Sequence, residues 1–284
     1  MATIEYALFR AKFIRPTQMK LFVDPSTPSE IFRECITSRP SAAYRRVEWH
    51  VGNVEEYDEG LGYFRVGKTK LDTVSEFDDD TGDFVDREGD TTEYAHCLFD
   101  LEFGTLAIAK NWRLTQSVLS VANIVTRLFG SVPLVADNDI TVEVAPIPNP
   151  DEFVDMIISA HQVTKFSATF TGPNPFDADE YFQKPLATLC GESRAERGKA
   201  ELVGDDLDRE VLVEVTRSTA ATGNVAKARI RADVEQPLET ISLEGKPMTL
   251  IFEEDEHEPI DAARQLRVVY KRIRATEGPI DGKS

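Results

Sequence analysis

The chain opens on an alternating pattern. Over residues 3–13, Ala7, Phe9, Ala11 and Phe13 fall on one face of an extended segment, and Ile4, Tyr6 and Leu8 fall on the other. A strand apolar on both faces is predicted, and such a strand belongs in the middle of a sheet. Thr27-Pro28-Ser29-Glu30 then supplies an N-cap, a proline at the first helical position and a glutamate at the third. This capping box predicts a short helix to about Ser38, stopped by Pro40. Val47, Trp49 and Val51 alternate with Arg46, Glu48 and His50, and alternation resumes at Tyr63-Phe64-Arg65-Val66. These runs predict an antiparallel pair joined by the acidic loop Glu55 to Gly62. A second pair is predicted from Ala95, Cys97, Phe99 and Leu101 and from Leu106 and Ile108, turning at Gly104. Between the two pairs, Phe77 to Asp83 is too polar to bury and reads as an exposed loop.

Val118, Leu119, Ala122, Val125 and Leu128 or Phe129 follow the helical period, with Thr115 as the expected cap and Gly130 as the stop. Beyond it, a strand is predicted around Ile140, Val142 and Val144, and Asn149-Pro150-Asp151-Glu152 opens another helix. A strand from Thr164 to Phe170 precedes the turn Gly172-Pro173-Asn174-Pro175. Polar helical stretches follow at about 177–199 and 206–221. A strand at 225–231 places Ala226, Ala228 and Ile230 on its covered face. The strand Met248 to Glu253, after a turn at Gly245-Lys246-Pro247, leads to a last helix over about Ile260 to Ala275. Irregular interleaving of strands and helices predicts an α+β fold of mixed, mainly antiparallel sheets with packed helices. Two domains are expected, 1–130 and 131–284.

Composition narrows the function classes. The 284 residues carry a net charge of −18, which sets the surface as a whole against coating DNA or RNA, because that binding neutralises phosphates with Lys and Arg. The charge is segregated: Glu55 to Glu102 holds sixteen acidic and four basic residues, Arg10 to Arg46 eight basic and three acidic. Such polarity steers partners. Cys35, Cys97 and Cys190 are odd in number and widely spaced, so they read as buried thiols and not as a disulfide framework or a zinc ribbon. The start MATIEYALFRAKF has no basic stretch leading into an apolar core, and no run reaches about 18 apolar residues. A cytoplasmic protein without membrane insertion is expected.

Several motifs invite a chemical reading. Gly62 to Thr69 satisfies GxxxxGK[ST], yet a phosphate loop needs a tight turn of backbone N–H groups between strand and helix, and these residues are bulky and strand-forming. His96, Asp100 and Glu102 share a face of a predicted strand and are the candidates for a divalent metal. The glycine of Asp78-Asp79-Asp80-Thr81-Gly82-Asp83 sits one position too early for a calcium-binding EF-hand. Asp233, Glu244 and Lys246 fit the loose pattern of a magnesium-dependent nuclease, in which carboxylates hold the metal and the lysine steadies the attacking water. His50, His96, His161 and His257 lie beside no nucleophile motif. Against this, Lys227, Arg229 and Arg231 form a basic stripe with alternate positions about 6.8 Å apart, near a nucleic-acid backbone spacing. Further basic residues cluster at Arg10, Lys12, Arg15 and Lys20, and at Arg264, Arg267, Lys271, Arg272 and Arg274.

The start EYALFRAK, the hairpin EWHVGNV…GYFRVGKTK, the run HCLFDLEFGTLAIAKNWRL before a long helix, and VEVAPIPNPDEFVDMIISAHQVTKFSATF form a recognisable order. In layout they resemble bacterial and prophage abortive-infection proteins of the lambda RexA type and uncharacterised proteins of anti-phage gene clusters. The resemblance implies a two-domain, often dimeric sensor that engages nucleic acid or a phage component and signals to an effector. The expectation is a sensor or accessory subunit without its own catalysis or cofactor, binding nucleic acid or a protein partner through Lys227, Arg229, Arg231, Arg267, Lys271, Arg272 and Arg274. The alternatives are the nuclease, with magnesium, and an acidic decoy that imitates DNA.

Overall fold

The structure, a computed structural model, describes residues 3–15, 26–45, 47–57, 60–78, 83–171, 182–195, 197–243, 246–253 and 258–275. For 70–91 the description is of the backbone. In chain order run β1 (Thr3–Ile14), α1 (Pro28–Thr37), β2 (Ser41–Tyr44), β3 (Val47–Glu56), β4 (Leu61–Asp78), β5 (Asp83–Asp100), β6 (Thr105–Ala109), α2 (Val118–Gly130) and α3 (Pro133–Ala136). Then follow β7 (Thr141–Pro146), α4 (Asp151–Ser159), β8 (Gln162–Thr171), α5 (Gln183–Ser193), β9 (Arg197–Val203), α6 (Arg209–Ala221), β10 (Ala226–Arg231), β11 (Glu239–Ser242), β12 (Thr249–Glu253) and α7 (Pro259–Arg274).

The first strand is central, as its two apolar faces require. β1 pairs with β6 along one edge; along the other, β12 and β7 lie end to end. They meet at Leu8, which donates its N–H to Met248 O and accepts from Ile147 N. The larger sheet has eight strands in the order β12-β1-β6-β5-β4-β3-β2, with β7 beside β1, and the smaller has four in the order β11-β10-β8-β9. Every strand pairing described is antiparallel, so the fold is α+β.

One face of the large sheet, through Phe9, Phe13, Phe64, Cys97 and Ile108, packs on α1 and α2. The opposite face, through Tyr6, Leu8, Tyr63 and Leu98, joins a second core with α4, α6 and α7, which continues to Phe166, Ala226, Ala228 and Ile230 of the small sheet. The layers therefore run helix, sheet, helix, sheet. The expected boundary at residue 130 falls just after α2, and strands from beyond it, β7 and β12, complete the sheet that β1 begins.

Local signals hold where packing agrees with them. The Thr27 side chain accepts from Glu30 N at 3.2 Å and the Glu30 carboxylate from Thr27 N at 2.6 Å, closing the capping box of α1. Thr115 does not cap α2: its hydroxyl donates to Ser117 O, and the helix starts at Val118. The stretch from Phe77 to Asp83, read as an exposed loop, begins and ends within the β4–β5 ladder, which continues as far as the Asp78–Asp83 pair. Its centre, 79–82, lies outside the described residues, as does the turn expected at 172–175. The strands β9 and β11 carry no apolar stripe in the sequence, being mostly exposed edges, and the helix expected to reach 199 ends at Ser193. The three cysteines are buried and free. No helix among the described residues is long and apolar enough to cross a membrane.

Candidate functional site

β10 reproduces the alternation of its sequence. Ala226, Ala228 and Ile230 are buried against the second core. Lys227 and Arg229 are exposed on the other face, and the half-buried Arg231 donates to Val234 O. The antiparallel register sets Lys165 opposite Arg229, and Ser167 opposite Lys227. A bulge between Arg229 and Ile230 shifts the ladder, so that Val163 faces Ile230 inside and Gln162 faces Arg231 outside. On β9, Glu201 stands opposite Ser167, and Lys199 opposite Thr169. The outer face of the small sheet thus gathers Lys165, Lys199, Lys227, Arg229 and Arg231 around a single carboxylate of its described residues, Glu201. Glu201 is held by Lys165 at 2.8 Å and Lys199 at 3.0 Å, and these hydrogen bonds lower its pKa. Like charges directly across a ladder, such as Arg229 and Lys165, are unfavourable, and Glu201 offsets that repulsion on the Lys165 side.

The terminal helix does not join this face. Its buried stripe, Ala262, Ala263, Leu266, Tyr270 and Ile273, packs in the second core, and Arg267, Lys271 and Arg274 flank that stripe at i, i+4 and i+7. Arg267 donates to both carboxylate oxygens of the buried Asp100, at 2.6 and 2.9 Å, and lies 3.4 Å from Glu102. Lys271 lies over the Phe103 ring, 5.4 Å from its centroid. Arg274 is half-buried; desolvation, then the charge of Arg10, lowers its pKa. Of the terminal basic residues proposed as one surface with Lys227 and Arg229, only Arg272 and Lys271 are exposed. The cause is geometric: α7 packs on the β4–β5 hairpin of the large sheet and on α6, and the basic face of the small sheet is its side away from this second core.

Arg10 and Lys12 cannot serve a surface either. Both are fully buried on the face of β1 that carries Tyr6 and Leu8. Arg10 donates to the Tyr270 hydroxyl at 2.6 Å. The Lys12 amine donates to Asn224 Oδ1 at 3.2 Å and Gly223 O at 3.4 Å, with Glu143 at 3.6 Å.

The metal and nucleotide motifs disperse. His96 Nδ1 is 2.8 Å from the Tyr63 hydroxyl, which itself accepts from Arg65 Nε at 2.6 Å, while Asp100 belongs to Arg267. His96, Asp100 and Glu102 hold no common point, and no group of three or more such ligands occurs among the described residues. The GxxxxGK[ST] segment is interior strand from end to end: β4 runs between β3 and β5, with Tyr63, Phe64 and Val66 buried. Its glycines have a packing cause. A Cβ on Gly62 would lie 2.2 Å from the Phe99 ring and 2.5 Å from Glu55 O; one on Gly67 would lie 2.8 Å from Glu93 O. For the nuclease pattern, Glu244 lies outside the described residues. Leu243, three residues before Lys246, bonds Ala226 at the start of β10, whereas Asp233 follows Arg231 at its far end, so the strand separates them by roughly 20 Å.

Residues 30–266 match the profile of a family described as "Domain of unknown function (DUF4747)". The chain belongs to this family. No curated protein matches the chain. The family match spans every residue of the basic sheet face, while Arg10 and Lys12 precede it.

Lys12 gives the buried layer a pH signature. Desolvation outweighs the attraction of Glu143 and lowers its pKa to about 8 from an ordinary 10.5. Between those values the unfolded chain binds more protons than the folded one, so stability contributed by this site rises with pH. Burial raises the pKa of Tyr6 and Tyr270 above the ordinary 10, so their contribution falls above about pH 10. In urea denaturation from pH 7.5 to 9.5 the rise from Lys12 opposes the fall contributed by Cys35, Cys97 and Cys190, whose thiol pKa values burial raises, so Lys12→Met is expected to make stability fall more steeply with pH than in the wild type. An unchanged slope in the variant would reassign the rise to another group.

Proposed function

We propose that the protein is a non-catalytic sensor or accessory subunit of a bacterial anti-phage defence system that engages nucleic acid through the outer face of its four-stranded sheet. The observation that carries this reading is the charge of that face: Lys165, Lys199, Lys227, Arg229 and Arg231 stand around Glu201, the single carboxylate among its described residues, in a chain whose net charge is −18. An open antiparallel sheet offers alternate side chains about 6.8 Å apart in one plane, which suits the extended backbone of a single strand. The layout of the chain, with its likeness to abortive-infection proteins, supplies the biological setting, in which a protein effector would receive the signal. The acidic β4–β5 hairpin repels a polyanion and orients its approach toward the basic face.

The test is an electrophoretic titration with single-stranded and duplex DNA and RNA at two salt concentrations. Binding is expected to be strongest for single strands and to weaken with salt. Lys227→Glu with Arg229→Glu is expected to reduce the slope of log affinity against log salt by roughly 0.7 per lost phosphate contact. Absence of binding at low salt would remove nucleic acid as the ligand.

A further inference from the structure

A cavity of about 760 Å³ lies on the other side of the large sheet, between the β2–β3–β4 edge and α2. That volume falls within the roughly 300–1,000 Å³ of small-molecule sites. Its lining contains three cations, Arg45, Lys68 and Arg127, and no carboxylate. Among the described residues, none of the three has a carboxylate oxygen within 4.0 Å. Acidic residues outnumber basic ones by 50 to 32 in this chain, so a concave surface of this make-up is against its composition.

The cations converge on aromatic rings. The guanidinium carbons of Arg45 and Arg127 lie 5.2 and 4.7 Å from the centroid of Tyr44, and the Lys68 amine lies 5.8 Å from that of Trp49. Two guanidinium groups sharing one ring repel each other, and an anion between them removes that repulsion. Lys68 is fixed by donating to Leu114 O at 2.7 Å. The backbone is strained at the same place. Arg45 directly follows β2, whose last residue, Tyr44, pairs with Val47. Arg45 takes φ 50° there, in the left-handed region where a long side chain is disfavoured. On α2, Ser120, Asn123 and Arg127 share one stripe and bring hydroxyl and amide groups to the same wall.

We propose that this cavity binds a nucleoside phosphate, with the phosphoryl oxygens between Arg45, Lys68 and Arg127 and the base against the Trp49–Ile124 wall, its polar edge toward Ser120 and Asn123. The same chemistry is offered by a free nucleotide and by a nucleotide within a strand. This site is on the opposite side of the large sheet from the basic face and does not rest on the reading of that face.

Isothermal titration with ATP, inorganic phosphate and a hexadeoxyadenylate tests it, alongside tryptophan fluorescence of Trp112→Phe, which leaves Trp49 as the reporter. ATP is expected to bind and to perturb Trp49. Arg127→Glu is expected to weaken binding about tenfold or more, the loss of a charge-assisted contact. Arg45→Gly is expected to weaken it as well, while melting at or above the wild-type temperature because glycine relieves the positive φ. Lys227→Glu with Arg229→Glu is expected to leave ATP binding unchanged, which separates this site from the sheet face. Tighter binding of the hexanucleotide than of ATP would assign the site to a nucleic-acid segment, and the reverse to a free nucleotide. Phosphate binding as tightly as ATP, no binding of ATP or the hexamer at millimolar concentration, or wild-type affinity in a folded Arg127→Glu variant would overturn the proposal.

Discussion

Arg267→Met is expected to destabilise the fold by about 3–5 kcal/mol, the loss seen when one partner of a buried ion pair is removed. Asp100 is fully buried, and the Arg267 side chain is 11% exposed. The guanidinium meets both carboxylate oxygens, and Asp100 Oδ1 also accepts from Glu102 N at 2.9 Å. The carboxylate therefore sits at the end of β5 with its remaining capacity used by the turn. Removing Arg267 leaves a negative charge without its cation inside the interface between α7 and the β4–β5 hairpin. Arg267→Lys is expected to lose much of the same energy, because an ammonium group cannot reproduce two parallel hydrogen bonds. The double variant Asp100→Leu with Arg267→Met is expected to recover most of the loss, since similarly sized apolar pairs replace buried ion pairs at little cost. Urea denaturation of the three variants measures this. A single-variant loss under about 1 kcal/mol would place the pair among exposed ion pairs.

Phe32→Ala is expected to cost about 3–5 kcal/mol, through lost burial and through the cavity left behind. Phe32 is fully buried on α1, with ring centroids 5.7 Å from Phe13, 5.9 Å from Phe129 and 6.2 Å from Phe99. It links α1 to β1, α2 and β5 at one point, so no single neighbour can move in without leaving another. Phe32→Leu, closer in volume, is expected to lose roughly 1.5 kcal/mol or less. Denaturant midpoints should fall while the slope stays constant. A changed slope would mean that the variant alters the compactness of one of the two states.

Much of the fold was legible because local and tertiary demands coincide. The two faces of β1 lead to the two cores, the capping box of α1 closes as its residues require, and β10 buries Ala226, Ala228 and Ile230. Less of the candidate surfaces was legible. The Lys227–Arg229 stripe could be read, but Lys165 and Lys199 join it only through strand register. Arg45, Lys68 and Arg127 come from a turn, a strand and a helix, and no spacing in the chain connects them. The signal at Arg45, a long side chain at a positive φ, is visible only once the backbone is known.

Arg10, Lys12 and Arg267 mark the line between the two sources of information. The sequence by itself determined the elements whose periodicity or capping is local, the α+β class, and the segregation of charge along the chain, because hydrophobic alternation and backbone capping act over a few residues. Tertiary structure decided which charges are buried, which meet, and which line a cavity. Burial of a cation depends on the carbonyls, carboxylates and rings that surround it, and these are supplied here by segments as far apart as β1 and α7.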